Sequence, residues 1–286
     1  MTIEEVKQYI KSSETYNFLR EYPHKIAFLI LGGSYSYGTN VEDSDIDLRG
    51  VFLNDKRDIL LGNNFEKVDV HNSKLDNKPD VDTSLYALKK YIYMCAKGDI
   101  SCIGLLFNNP ECHLYVSDIG RDLIKNRDMF LSSDLFLKIA CYANSCMKRM
   151  YGEYIIEDYF DDEKIKNLVK DRKKHVYKSM MTAYRVLQQG INLRKQGNMF
   201  LSDCQKKIIS EIRNGEFCQE VEMRSIAGRV ARRIQPIKEF YKLMDIAVIC
   251  YSDATKDIRE KNLNPDIESI NNFLMNVNEY IVKGMV

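Results

Sequence analysis

Several common sequence features are absent from this chain of 286 residues. No apolar run approaches the roughly 18 residues that a membrane-spanning helix needs. The N-terminal stretch MTIEEVKQYIKSSE mixes acids and bases, unlike the basic-then-apolar layout of a secretory signal. The eight cysteines form no C-x-x-C pair, which excludes the usual zinc-ribbon and redox motifs. We therefore expect a cytoplasmic protein with free thiols and no membrane partner, and the sequence leaves its oligomeric state open.

The charge balance is almost neutral, at a formal net charge of +1, and by itself says nothing about a nucleic-acid partner. Acidic residues outnumber basic ones over residues 1–130, and basic residues outnumber acidic ones over residues 131–286. This asymmetry suits a site for metal and anion between two halves, and it suits ordinary solvated surfaces equally well.

The first part of the chain alternates strand and helix patterns. Hydrophobic periodicity predicts a helix over 3–20 that Pro23 ends, strands over 26–31 and 45–53, a hairpin from 66–70 and 79–84, a helix over 84–98 that stops at Gly98, and a short helix capped by Asp99. The continuous apolar run IAFLIL is typical of a strand buried on both faces.

The second part of the chain shows helical patterns and no convincing strand after about residue 117. Helices are predicted over 118–130, 134–151, 161–189, 203–213, 219–250 and 266–283, punctuated by Gly190, Gly197 and Gly215, with a break at Pro236. We therefore predict an α+β protein: a catalytic domain with a small mixed sheet over 1–130, followed by an all-helical domain over 131–286 that covers the nucleotide cleft.

The stretch GGSYSYGTNVEDSDIDLRG, residues 32–50, carries the strongest chemical signal. A Gly-Gly-Ser turn after a buried strand can bring backbone N–H groups and a hydroxyl close to a phosphate. Strand periodicity places Asp45 and Asp47 on one face of the next strand. Two carboxylates so close repel each other unless a cation compensates them, and Mg²⁺ or Mn²⁺ takes such oxygen ligands.

The Gly-Gly-Ser turn and the pair of Asp45 and Asp47 together have the layout that nucleotidyl transfer needs, in which the triphosphate and the metal ions lie side by side. Such a site usually uses a third carboxylate from an adjacent strand. Asp69, Asp80 and Asp82 are the candidates, and periodicity cannot separate Asp80 from Asp82 because they share a strand face.

The pattern G-S-x-x-Y-G-T-x-x-x-D-S-D-I-D-x-R-G from Gly33 to Gly50 resembles the signature of the DNA polymerase β superfamily of nucleotidyltransferases. Within that superfamily the chain is most similar to the predicted nucleotidyltransferases linked to RNA repair, the RlaP family. The similarity continues through DVDTSLYALKKYIYMCAKGDISCIGLLF and reappears around KHVYKSMMTAYRVLQQG.

The resemblance implies a role for each matching residue. Gly33 and Ser34 would cradle the triphosphate, and Arg49 would orient a carboxylate or a phosphate. For Arg49, a structural ion pair is the alternative interpretation. The metal ligands would be Asp45, Asp47 and Asp82, with Asp82 also serving as the base for the incoming hydroxyl. The chain departs from the family pattern at Asp99-Ile100, where Asn-Pro is common, and at Gly104, where an acid is common.

A basic helical stretch over 161–187 supplies further candidates. Lys174 and Lys178 are spaced i, i+4 and share a helix face with His175 close by. Since other superfamily members use a lysine from their helical region, these three residues are candidates for contacting the triphosphate. A solvated helix face is the alternative interpretation.

The resulting hypothesis is an enzyme that transfers an NMP from an NTP to an acceptor hydroxyl without a template. By resemblance the acceptor is an RNA or tRNA 3′ end. Three alternatives stay open: nucleotidylylation of a protein or small molecule, of the antitoxin-like or antibiotic-modifying type; glycosyl transfer, which also uses Asp-x-Asp with a metal; and an inactive nucleotide-binding scaffold.

Overall fold

The computed structural model describes residues 1–12, 25–42, 44–63, 67–72, 80–150, 154–156, 162–224 and 230–285. The strands are β1 (Ile26–Leu31), β2 (Ile46–Phe52), β3 (Lys67–Asn72), β4 (Val81–Ala87), β5 (His113–Val116), β6 (Tyr154–Ile156), β7 (Cys218–Arg224) and β8 (Val230–Pro236). The α-helices are α1 (Ile3–Ser12), α2 (Gly33–Tyr37), α3 (Lys56–Leu61), α4 (Leu88–Ala96), α5 (Ile100–Leu106), α6 (Asp118–Lys125), α7 (Ser133–Arg149), α8 (Asp162–Gln196), α9 (Asp203–Arg213), α10 (Lys238–Lys261) and α11 (Ile267–Val282). Short 3₁₀ helices cover Pro110–Cys112 and Arg127–Phe130.

The chain forms two compact units. The first comprises Met1–Leu135, Asn198–Phe200 and Lys261–Val286, and the second comprises Phe136–Gly197 and Leu201–Glu260. Helix α11 therefore belongs to the same unit as β1, although the two lie at opposite ends of the chain. The division predicted at residue 130, into a catalytic domain and a domain covering a nucleotide cleft, stays a prediction.

The first unit is built on a mixed five-stranded sheet in the order β3-β4-β2-β1-β5. Strands β2 and β4 are parallel, and the other neighbouring pairs are antiparallel. The β1 run is buried from Ala27 to Leu31, as a central strand between β2 and β5 requires. The strand over 26–31 and the hairpin of β3 and β4 are confirmed, and the polar loop over 73–79 lies outside the described residues.

The helix ends follow the capping residues that the sequence indicates. Asp99 accepts a hydrogen bond from the Cys102 amide and begins α5, and Gly98, with a φ of +68°, lies between α4 and α5. The strand β4 continues to Ala87, so α4 begins at Leu88 rather than at residue 84. Helix α1 ends at Ser12, and the rest of the helix predicted over 3–20 lies outside the described residues, as does Pro23.

The predicted fold class is confirmed: a mixed sheet with helices is followed by a mainly helical region. The expectation of no strand after residue 117 is wrong, because β6, β8 and β7 form an antiparallel three-stranded sheet in the second unit. The helix predicted over 219–250 is replaced by β7 and β8, and α10 begins only at Lys238, after Pro236. Pairing between the consecutive strands β7 and β8 here overrides local helix propensity.

Two further features concern helices and thiols. Helix α8 continues through Gly190 to Gln196, so Gly190 does not end it, whereas Gly197 follows its end with a φ of +67°. All eight cysteines are free, as expected. None of the helices in the described ranges has the length and apolar character that crossing a membrane requires.

Candidate active site

The turn between β1 and α2 lies directly against Asp47. The Gly32 amide donates to the Asp47 carbonyl oxygen at 2.8 Å. Gly33 has a φ of +54°, and a Cβ atom at this position would lie 1.9 Å from Asp47 Oδ2. Both the left-handed backbone and the close approach of a carboxylate therefore require glycine at position 33.

Buried side chains hold this turn in place from behind. Tyr35 in α2 is only 1% exposed, and burial raises the pKa of its hydroxyl, with a smaller contribution from the charge of Glu5. Asn108 is buried and donates through Nδ2 to the Leu31 carbonyl at 3.0 Å, at the last residue of β1. The partly exposed Ser34 hydroxyl makes no hydrogen bond to another described residue.

Two acids meet on neighbouring strands beside this turn. Asp47 in β2 is the register partner of Asp82 in β4, and the two strands are parallel. Register partners on adjacent strands point to the same face, and adjacent strands lie about 4.8 Å apart. Asp45 immediately precedes β2 and is exposed. The sheet thus brings Asp47 and Asp82 together and leaves Asp45 at the exposed entry to β2.

Arg49 is bound to both strands of this pair. Its Nη2 donates to Asp47 Oδ1 at 2.7 Å, and its Nη1 donates to the carbonyls of Leu48 and Asp82 at 3.0 and 3.2 Å. This contact fits both a role in orienting a carboxylate and a structural ion pair, so the role of Arg49 stays a prediction.

The other two candidates for the third acid have different surroundings. Asp69 in β3 is the register partner of Ser84, whose hydroxyl donates to Asp69 Oδ1 at 2.5 Å, while Lys67 Nζ lies 2.8 Å from Asp69 Oδ2. This contact raises the pKa of the Lys67 ammonium. Asp80 lies before β4, and its carbonyl accepts from the Ile46 amide at 2.8 Å. Register therefore favours Asp82 as the partner of Asp47, and its role as third acid stays a prediction.

The donor chemistry of Asp45, Asp47 and Asp82 fits a hard divalent cation, since all three offer carboxylate oxygens. In the arrangement described, Asp47 Oδ1 contacts Arg49, and Oδ2 faces Gly33. Over the ranges that the structure covers, no three His, Cys, Asp or Glu side chains lie close enough to form a ready metal cluster. A cation that binds Asp47 through Oδ1 therefore has to compete with Arg49.

The basic helix places its candidates on an exposed face. Lys174, His175 and Lys178 are exposed on α8, whereas Val176 is buried on the opposite side. Exposure is necessary for contacting a triphosphate and equally typical of a solvated face, so their role stays a prediction.

The sequence patterns missed two supports of the site. The sequence pattern indicates Gly32 only as part of the turn, but its amide bonds to Asp47. No sequence pattern indicates Asn108, because its partner Leu31 lies 77 positions away along the chain. No local pattern carries such contacts; only a conserved buried polar residue in related sequences could have indicated Asn108.

Two known proteins show similarity to this chain. An uncharacterized 38.9 kDa protein from the nrdC-mobD intergenic region of Enterobacteria phage T4 is 30% identical over 108 residues, which cover 36% of this chain and 32% of that protein. The match thus spans about a third of the phage protein's length. The crystal structure of a nucleotidyltransferase-like protein from Exiguobacterium sibiricum aligns with 95% of this chain and 79% of that one, at 12% identity and a TM-score of 0.32.

A family model for the RNA repair pathway DNA polymerase beta family, RlaP, matches residues 8–276. This range includes the turn at Gly33, the acids on β2 and β4, and helix α8. Because the match covers nearly the whole chain, the protein belongs to the RNA repair pathway DNA polymerase beta family.

Proposed function

We propose that this protein is a metal-dependent, template-independent nucleotidyltransferase, which moves an NMP from an NTP to an acceptor hydroxyl and releases pyrophosphate. The observation that carries the proposal is the register of Asp47 and Asp82 on parallel strands beside Gly33. Acids that hold cations are here adjacent to a glycine turn that admits phosphate oxygens close to the backbone.

Each residue has a defined task in this proposal. The amide of Gly33 and the hydroxyl of Ser34 bind the triphosphate. From α8, Lys174 and Lys178 supply positive charge, and His175 supplies a hydrogen-bonding group. The carboxylate of Asp82 accepts the proton of the acceptor hydroxyl as that oxygen attacks the α-phosphate. Arg49 holds the two acid-bearing strands at a fixed spacing through the carbonyls of Leu48 and Asp82.

Asp45, Asp47 and Asp82 are the residues that would hold Mg²⁺ or Mn²⁺. When bound, such ions supply charge compensation for the acids, the attacking oxygen and the leaving pyrophosphate. The proposed RNA or tRNA 3′ end as acceptor is supported by the description of the family, which names an RNA repair pathway.

Incubation with an α-³²P-labelled NTP and Mg²⁺ in the presence of an oligoribonucleotide tests this proposal. Labelled NMP should appear on the RNA 3′ end, and replacing both Asp45 and Asp47 by Asn should reduce transfer by about 100-fold or more. An unchanged circular dichroism spectrum and melting temperature of the double variant are the controls. Full activity of that variant would refute the metal assignment.

The same incubation separates the alternative acceptors. Adding protein extract or small-molecule fractions in place of RNA shows where the label goes, and label on protein would replace the RNA proposal by protein nucleotidylylation. Calorimetry without metal-dependent NTP binding would support a scaffold instead of an enzyme.

A further inference from the structure

The ion pair of Arg49 with Asp47 occupies the carboxylate that the proposed metals need. Asp47 Oδ1 accepts from Arg49 Nη2 at 2.7 Å. Its Oδ2 fills the space beside Gly33, 1.9 Å from where a Cβ atom of that residue would lie. Arg49 thus occupies Oδ1 of Asp47, and a cation that takes this oxygen as a ligand has to displace Nη2 of Arg49.

The remaining contacts of Arg49 do not involve Asp47. Its Nη1 donates to the carbonyl oxygens of Leu48 and Asp82, one on each of the two strands. A Cβ atom on Gly32 would lie 3.0 Å from Arg49 Cγ, so the side-chain stem lies against the glycine turn. Nη2 can therefore leave Asp47 while Nη1 keeps the guanidinium beside the site.

Electrostatics favours such an exchange. The side chains of Arg49 and Asp47 are 30% and 26% exposed, so their pairing is only partly shielded from water and contributes little. A divalent cation carries twice the charge of the guanidinium, and the two cations repel each other when they share a carboxylate. Arg49 and a bound metal ion are therefore competitors for Asp47.

We infer that Arg49 is an exchangeable counter-ion of Asp47, which neutralises this acid before metal binding and releases it to the incoming ion. The inference rests on the proposed function, because it takes Asp47 as a metal ligand. The exchange has a second consequence. The guanidinium that leaves Asp47 stays next to the turn at Gly33, where the triphosphate is proposed to bind. Metal loading is thereby coupled to nucleotide binding, since phosphate oxygens provide the new partner for Nη2.

The affinity of the nucleotide-free protein for Mn²⁺, measured by the electron paramagnetic resonance signal of free Mn²⁺, tests the inference. Arg49→Gln removes the competing charge and should lower the Kd for Mn²⁺ about two- to fivefold, the ratio that an ion pair of about 0.5–1 kcal/mol implies. Arg49→Lys keeps a positive charge and should stay closer to the wild-type value. Melting temperatures without metal verify that both variants fold.

Weaker Mn²⁺ binding in both variants would show that Arg49 positions Asp47 for the metal, and an unchanged Kd in Arg49→Gln would show no competition; either overturns the inference and leaves the proposed function intact. Absence of Mn²⁺ binding in all three proteins, with and without ATP, would overturn both.

Discussion

At the scale of single residues, Gly33 sets how closely the turn after β1 approaches Asp47. Gly33→Ala should lose NMP transfer and also lower the free energy of unfolding, because it combines a left-handed backbone with a clash against Asp47 Oδ2. The backbone alone accounts for about 1–2 kcal/mol, and displacement of Asp47 adds to it. Urea unfolding and a transfer assay measure the two effects.

Gly62→Ala is the matched control for Gly33→Ala. Gly62 has a similar φ of +67°, but nothing lies within 4 Å of its Cβ position. This variant should show only the backbone cost and keep full activity. Equal losses of activity in the two variants would contradict the role given to the contact between Gly33 and Asp47.

His113 in β5 makes stability depend on pH. Burial lowers the pKa of its imidazole below the ordinary 6.5, and the charges of Lys7 and Arg127 lower it further. Its Nε2 is buried and has no hydrogen-bond partner in the part of the chain that the structure describes. The stability that the neutral form contributes is complete above pH 6.5 and is lost as the pH falls from there through the lowered pKa.

Urea unfolding at pH 7.5 and pH 5 should therefore show a smaller change in midpoint for His113→Gln than for the wild type. A wild-type difference that persists unchanged in the variant would assign the pH dependence to other groups. The variant also serves as its own check on folding, because its midpoint at pH 7.5 measures any loss of packing.

The site residues divide into those that local patterns can predict and those that they cannot. Strand alternation predicts Asp47. The choice of Asp82 over Asp80 as the third acid depends on the family resemblance, because these two acids share a strand face. The observed register separates these two acids. The sequence does not predict the hydrogen bond between Arg49 and Asp47. Arg49 lies two residues after Asp47 on the same strand face, but a side chain at that position can also point elsewhere.

At the scale of elements, two helical glycines should respond to alanine in opposite directions. Gly104→Ala in α5 meets only Met199 Sδ at 4.0 Å, so it should raise the free energy of unfolding by about 0.5–1 kcal/mol through its effect on the unfolded chain. Gly190→Ala in α8 would place Cβ 2.5 Å from Tyr251 Cε2, and this clash should lower the free energy of unfolding by about 1–3 kcal/mol.

The ring of Tyr251 cannot easily move away, because its hydroxyl donates to the Phe136 carbonyl at 2.5 Å. Urea unfolding of both variants measures the sign of each change in the free energy of unfolding. A stabilised Gly190→Ala variant would show that the spacing of α8 and α10 adapts without cost.

The elements that the sequence predicted well are those whose signal is local. Strand β1 has a continuous apolar run, α9 begins with a capping box between Ser202 and Gln205, and both appear at the predicted positions. Strands β7 and β8 are rich in Glu and Arg, which favour helix as isolated residues. Their register places Glu222 opposite Arg232, a pairing that periodicity along the chain does not reveal.

At the scale of the whole molecule, the chain folds into two units whose composition is not contiguous in sequence. The C-terminal helix α11 belongs to the first unit with the five-stranded sheet, whereas the predicted helical domain over 131–286 includes its residues. Ile270 and Val277 of α11 are buried, but an amphipathic pattern states only that a helix packs, not which surface it packs on.

The central claim is that Asp47 and Asp82, in register beside Gly33, form the catalytic centre of a nucleotidyltransferase. The most direct measurement compares the rate of NMP transfer to an RNA 3′ end for Asp82→Asn and Asp69→Asn, two acids on adjacent strands of one sheet. We predict that Asp82→Asn lowers the transfer rate by about 100-fold or more. Asp69→Asn should keep nearly the wild-type rate and lose only the stability that the contacts of Asp69 with Lys67 and Ser84 contribute. Wild-type transfer by Asp82→Asn, with activity lost instead in a folded Asp69→Asn, would contradict the claim.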